Sequence, residues 1–569
     1  VTLSATSSVL GWEQTSSLVS GRSVIFDSAT SGAKFLTVEG NNTLTIDSGA
    51  TVRGRNGTIR GSLLTGGGTQ TLINNGLISS DFAGPGIDIA TLSNFTNNGV
   101  VEAINGATGS VAATNWTNGA AGTLRAIGAG SVLTLGGAWS NAGALEVTNG
   151  TLNLGGTFTN TGAGFSGLVR TGGAVNITGS MTNTGQSLAI DAATGTITLS
   201  GGLITGGTVT EAGGSRLAFS SSFANILDGV TVQGTGDFTA PSARVRLRNG
   251  SAFAGDVTLS GTSAVLAYEQ TASIASGRTI LFDTATTGTK FLSVEGNNTL
   301  TIENGATVRG RSGVIRGALL SGGGTQAVVN NGLILAEVAG TTTISNLSSF
   351  TNNGTLAAAG GATLRLDLGS AFDVTGTVEA RPGGTIQFSN GIGTIGQDIE
   401  IQLGGALTAN YGRLNITAPT TINGTDLAIS TVNGFSPDWG DSFAIMSFTS
   451  GVVTGDFSTL ALPTLSDAVN LRWFTTMTAT ALTIGVRHTA DVNRDNSINF
   501  ADLNIIVSNF NTNGGEAMGD VDGDGFIGFA DLNRVLSFFN TSAPVNTVPA
   551  PAGAALLAAA GLAGLRRRR

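Results

Sequence analysis

The sequence predicts a mainly β chain: a long right-handed parallel β-helix or β-solenoid, followed by a small α-helical domain. Two repetitions and one alternation carry that prediction. KFLTVEGNNTLTIDSGATVRGRNGTIRG, beginning at Lys34, returns as KFLSVEGNNTLTIENGATVRGRSGVIRG at Lys290, 256 residues on. The duplicated block covers roughly residues 9–81 and 265–337. A finer period places FTNNG at Phe95, WTNGA at Trp116, WSNAG at Trp139, FTNTG at Phe158 and MTNTG at Met181, in steps of 21, 23, 19 and 23 residues. Between these motifs, segments such as GTLNLGG and GAVNITG carry apolar residues at every second position, the period of a half-buried strand.

Length and composition agree with a repeat array. A chain of 569 residues exceeds one ordinary core. Its 87 glycines come with only 9 prolines and no Gly-X-Y period, which excludes collagen and a proline-rich linker. A coil of about twenty residues cannot bury its own apolar face, so neighbouring coils must stack and share a core. Asn and Gly suit the corners because both tolerate positive φ, and stacked Asn side chains can form amide ladders. Roughly twenty coils at about 4.8 Å each predict a rod on the order of 100 Å. One aromatic per coil reads as an internal stack rather than a sugar-binding stripe. Arg53, Arg55 and Arg60, repeated at Arg309, Arg311 and Arg316, read as a solvated face rather than a basic binding ladder.

The solenoid is assigned to residues 1–425. From about Asp426 the segment GFSPDWGDSFAIMSFTSGVVTGDFSTLALP loses the Asn-Gly period and gains aromatics, so 426–488 reads as a β cap over the last coil. It resembles the segment that closes bacterial autotransporter-like, β-helical passenger proteins. Many parallel β-helices cleave polysaccharides, which usually needs paired carboxylates. Here Asp47, Asp81, Asp88, Asp228 and Asp367 are scattered in sequence, and the single histidine, His488, reads as a solvated linker residue. No catalytic residue is assigned. A net charge of −9 and a pI near 4.8 argue against nucleic acid as a partner, and the absence of cysteine excludes disulfides and thiolate metal sites.

Charge concentrates in one place. DVNRDNSINFAD begins at Asp491 and DVDGDGFIGFAD at Asp520, 29 residues later. In the first copy, loop positions 1, 3, 5, 9 and 12 are Asp491, Asn493, Asp495, Asn499 and Asp502, and Ser497 at position 7 offers its backbone carbonyl. In the second copy the corresponding ligands are Asp520, Asp522, Asp524 and Asp531, with Phe526 offering its carbonyl and Gly528 leaving position 9 to a water. Six to eight hard oxygen ligands wrapped by a short loop are what calcium takes, so two Ca2+ ions are expected. The second loop has four ligand carboxylates against three and is expected to bind more tightly. Each loop runs into a helix whose apolar residues follow i, i+3, i+4, i+7: Leu503, Ile506, Val507, Phe510, then Leu532, Val535, Leu536, Phe539.

These duplicated loop–helix segments, within residues 489–542, resemble the dockerin module. That resemblance implies calcium-dependent attachment to a cohesin-type domain through exposed helix residues. The family often carries Ser/Thr at loop positions 10 and 11, where this chain has Phe500-Ala501 and Phe529-Ala530.

Residues 543–569 end NTVPAPAGAALLAAAGLAGLRRRR: a Pro-containing spacer, a short apolar run from Ala552 to Leu565, and four arginines. This layout is similar to the PEP-CTERM sorting signal and implies export, with transient membrane contact through the tail. The opening VTLSATSS has no basic or apolar leader and reads as a mature form or fragment of an exported protein. The expected function is a secreted or cell-surface structural or adhesive β-solenoid that docks onto a cohesin-type partner. The alternative is a β-helix that binds or degrades extracellular polysaccharide and carries the same module.

Overall fold

The structure, a computed structural model, describes residues 1–544 apart from 30, 161–164, 166, 397 and 450, and omits the side chains of 370 and 371. The tail from 545 onward lies outside the described residues. The chain is a mainly β, parallel solenoid of about 18 turns. It divides into two compact units, one made of Val1–Leu356 with Arg365–Asp373 and the other of Ala357–Leu364 with Val374–Arg569.

In the first unit each turn lays down three short strands, and each strand pairs in parallel with the strand one turn on. Thr2–Leu3, Val9–Trp12 and Ser16–Leu18 make the first turn, and Ser23–Phe26 returns to pair with Thr2–Leu3. The alternation seen in sequence is the alternation of burial: Thr43–Ile46 reads half-buried, buried, half-buried, buried. Branched and aromatic side chains of the buried positions stack turn upon turn into one continuous core.

The aromatic motif forms a column inside that core, as expected. Phe95, Trp116, Trp139, Phe158 and Met181 are register partners on successive strands, and all are buried. Trp116 and Trp139 stack with centroids 5.3 Å apart, Trp139 and Phe158 at 4.4 Å. Both indole N–H groups are satisfied, Trp116 Nε1 donating to Gly136 O at 2.7 Å and Trp139 Nε1 to Gly155 O at 2.8 Å. Two residues on, the motif's Asn builds the amide ladder: Asn74 to Asn97, Asn97 to Asn118 and Asn118 to Asn141, each Nδ2 donating to the next Oδ1 at 2.7 Å. These amides are buried, so the ladder removes an otherwise unmet cost at every corner.

The duplicated block does not return on the same face. Val9–Trp12 is the second strand of its turn. Its equivalent, Val265–Tyr268, pairs back onto Arg244–Arg248 and Ile226–Asp228, in the column that starts at Ser16–Leu18, the third strand. The two copies are thus offset by one face, because the 256 residues between them do not complete a whole number of turns. Arg53 and Arg309, equivalent in sequence, accordingly stand on different columns. Each pairs with a carboxylate one turn on, Arg53 with Asp81 at 2.6 Å and Arg309 with Glu337 at 2.9 Å.

In the second unit, Thr385–Ile395, Ile399–Leu403, Arg413–Ile416 and Thr420–Thr431 continue the parallel pairing. Ser442–Phe448 and Val453–Ala461 extend it by one more layer. The antiparallel hairpin of Leu471–Met477 and Ala481–His488 then pairs with Ser442–Phe448 and ends that ladder. Covering the edge of Ser442–Phe448 in this way blunts one template for non-native pairing.

Candidate metal centre

The two acidic loops follow the hairpin directly. Each folds by wrapping its backbone N–H groups around its own carboxylates. Asp491 Oδ1 accepts from Asp495 N at 3.1 Å and its Oδ2 from Asn496 N at 3.0 Å. Asp502 ties the loop's start to the helix that follows, accepting from Asn493 N at 3.0 Å and Asn499 N at 2.9 Å. The second loop repeats the scheme. Asp520 accepts from Gly523 N and Gly525 N at 2.8 and 3.0 Å, and Asp531 from Val521 N and Gly528 N at 2.7 and 2.8 Å.

The turns need left-handed backbone at two positions per loop. Asn496 takes φ 64°, as its place at the sharp turn anticipates, and Gly525 takes φ 84°. Sequence reasoning missed the other position, where Arg494 at φ 63° is matched by Gly523 at φ 83°. The glycine in the second copy was the available signal.

The loops end in helices α1, Phe500–Ser508, and α2, Phe529–Ser537. Asn499 caps α1, its Oδ1 accepting from Ala501 N at 2.7 Å, while Asp502 reaches back to the cap's own N–H. Only part of the expected apolar stripe is buried. Ile506 and Val535 are fully covered and Leu503 and Leu532 partly so, whereas Val507 and Leu536 stay 57% and 49% exposed. The covered side faces a shared cluster with Trp439, Leu465, Leu471 and Val486 of the preceding β segment, and a nine-residue helix offers one narrow face to it. The ends of the module are clasped by the antiparallel pairing of Ser497–Ile498 with Thr541–Ser542.

His488 is corrected by the structure: it is buried, not solvated. Its ring lies 5.3 Å from Trp439 and 4.3 Å from Phe538, and its Nδ1 accepts from Ala490 N at 3.1 Å. Burial, with Arg534 nearby, pushes its pKa down against the pull of Asp467. The residue sits where the hairpin meets the two loops, a tertiary junction that the local sequence does not announce.

In the first loop, carboxylate oxygens of Asp491, Asp495 and Asp502 lie within 4.8 Å of one another; in the second, those of Asp520, Asp522 and Asp524 do. Asn493 is beside the first cluster, its Nδ2 donating to Asp495 Oδ2 at 2.9 Å. Ser497 N and Phe526 N donate to Asp495 Oδ1 and Asp524 Oδ1, at 2.9 and 2.8 Å, which closes each loop around its carboxylates. Asp531 stands with its oxygens on the Val521, Asp522 and Gly528 N–H groups rather than in the second cluster of three. Among the described residues, no ion pair with Lys or Arg involves any of these seven aspartates. Burial pushes the Asp491 carboxyl upward, and neighbouring Asp502 and Asp495 add to that against the pull of Asn496 N–H. Asp522 is likewise raised, by burial first and then by Asp531, Asp524 and Asp520. The donor set is all oxygen and anionic, which fits a hard divalent cation and not a soft one.

No protein-family model matches the chain, and no curated protein matches it.

Proposed function

We propose that the protein is an exported or surface-displayed structural or adhesive solenoid whose C-terminal pair of loops binds two Ca2+ ions and attaches it to a cohesin-type domain. The observation that carries this reading is the repeated convergence of three carboxylates per loop, none of them in a salt bridge with Lys or Arg among the described residues. Asp491, Asn493, Asp495, Asn499, Asp502 and the Ser497 carbonyl would hold one ion. Asp520, Asp522, Asp524, Asp531 and the Phe526 carbonyl would hold the other. Calcium would neutralise the clustered charge and fix the loops that orient α1 and α2.

Attachment would use the apolar side of the module that the cluster leaves open. Phe500 and Phe529, at loop position 10 of each copy, are 67% and 72% exposed. Each packs edge-on against an aromatic of the other copy's helix end, Phe500 on Phe539 at 4.9 Å and Phe529 on Phe510 at 5.0 Å. Exposed aromatics of this kind are frequent anchors of protein interfaces. The similarity of residues 543–569 to a sorting signal supports export.

The test is binding of a cohesin-type domain to the immobilised full chain in calcium and after chelation. Binding should need calcium and fall with Phe500→Asp plus Phe529→Asp. A domain that binds equally after chelation, or none that binds, overturns the reading.

A further inference from the structure

The solenoid wall has a break beside the start of the second copy of the duplicated block. Ala252–Phe253 pairs with Thr231–Val232 on one side, and Ala272–Ile274 pairs with Thr299–Ile302 on one side. The columns to either side run unbroken through the same step, with Arg244–Arg248 paired to Val265–Tyr268 and Phe238 bridged to Leu259. Ala272–Ile274 is therefore the next strand after Ala252–Phe253 on this face. No backbone hydrogen bond joins the two. Between them opens a cleft of about 420 Å3, walled by both strand edges, with Val257, Ile274 and Ile280 on its inner side and Arg278 on its lining.

Two features state what fits there. The first is an amide already in the gap. Gln270 Oε1 accepts from Gly250 N at 2.6 Å, and its Nε2 donates to Ser251 O at 2.7 Å. A side-chain amide thus makes with this edge the paired donor and acceptor bonds that a peptide group makes with a strand. Further along, Ala252 N is bonded to Val230 O and Ile274 O to Glu303 N, so by the alternation of a parallel ladder it is Phe253 and Ser273 that turn their backbone groups toward the gap. The second feature is charge. Arg278 is exposed and enters no ion pair among the described residues. The nearby carboxylates are committed elsewhere, Asp256 Oδ1 to Thr279 N at 2.9 Å and Glu269 to Arg246 and Arg248.

We propose that the cleft is a binding site for an extended peptide segment of a partner protein, inserted as an added strand between the two unpaired edges. It would add main-chain hydrogen bonds to both edges, turn small branched side chains inward, and set a carboxylate against Arg278. At about 3.3 Å per residue the two edges accommodate roughly three residues. The site is independent of the calcium loops, and its test is read separately from theirs.

The probe is fluorescein-labelled acetyl-Val-Thr-Val-Asp-amide, titrated into the full chain. Saturable binding is expected, weakened about tenfold or more when both Val amides are N-methylated, since methylation removes the strand donors and keeps the side chains. Arg278→Ala should weaken the parent peptide several-fold and leave the Asp→Asn peptide unchanged. A bulky Ser273→Trp at the cleft wall should abolish binding, with the circular dichroism of the variant confirming its fold. Absence of binding at about 1 mM, or equal affinity for the N-methylated peptide, overturns the proposal.

Discussion

Glu39 shows how a buried carboxylate is held in this fold without a cation. Its Oε1 accepts from Leu63 N and Leu64 N at 3.0 and 3.1 Å, and its Oε2 from Thr65 N and Thr65 Oγ1, both at 3.0 Å. Burial raises its pKa, but the Thr37 hydroxyl and the N–H groups of Thr65, Leu63 and Leu64 outweigh that and bring it from 4.5 to about 2. Glu295 repeats the arrangement on Leu319, Leu320 and Ser321. Each carboxylate anchors a glycine-rich loop that follows its strand by a full turn. Because the folded pKa is depressed, the stabilisation is complete above the unfolded value of 4.5 and is lost as pH falls from there towards 2. Glu39→Gln should cost about 1–3 kcal/mol at neutral pH, and denaturation curves of wild type and variant should converge as the solution is acidified. The sequence carried a signal for this residue, a Glu followed at the same distance by LLTGGGTQ and LLSGGGTQ in both copies. Its role was illegible there because the contact joins two turns.

At the scale of elements, the strands and the aromatic column were readable because both repeat with the turn. Period-two burial and a motif spaced near twenty residues each have one structural solution, stacked coils with the motif inward. Trp139 lies between Trp116 and Phe158 and stacks on both. Trp139→Ala should cost about 3–5 kcal/mol in thermal or chemical unfolding, with Trp139→Phe recovering most of it. The helices were readable in existence but not in packing. Leu503, Ile506, Val507 and Phe510 form a regular stripe in sequence, yet Val507 faces solvent because the surface it would have needed is supplied by the β segment only around Ile506. A stripe shows that a helix packs; its partner's width decides how much of the stripe is covered. The aspartates of the two loops were legible in spacing, and the structure groups three in each loop while setting Asp531 to tie Gly528 and Val521 together.

At the scale of the whole chain, one consequence follows from repetition and one from its end. Duplication at a non-integral number of turns sends equivalent residues to different faces, so the copies do not present one continuous ladder of Arg53 and Arg309. The break between Ala252–Phe253 and Ala272–Ile274 falls beside the start of the second copy, and no local pattern in the sequence reveals it. Within the second unit, the loops and helices share one apolar cluster with Trp439, Leu471 and Val486. Arg534 reinforces that contact by donating to Asn470 Oδ1 at 3.2 Å, and Arg487 pairs with Glu516. The proposed calcium binding at the loops would therefore be coupled to the β segment that shares this cluster. Chelation should lower the melting temperature of this unit and change the near-ultraviolet signal of Trp439, whereas Trp439→Phe should remove the optical change and keep the shift in melting.

The most direct test of the account is a calorimetric calcium titration of the full chain, beside Asp491→Ala, Asp520→Ala and the double variant. The account predicts two binding events in the wild type, one in each single variant and none in the double variant, with the tighter event lost in Asp520→Ala. A titration without heat in the wild type, or one unchanged by the double substitution, would contradict it.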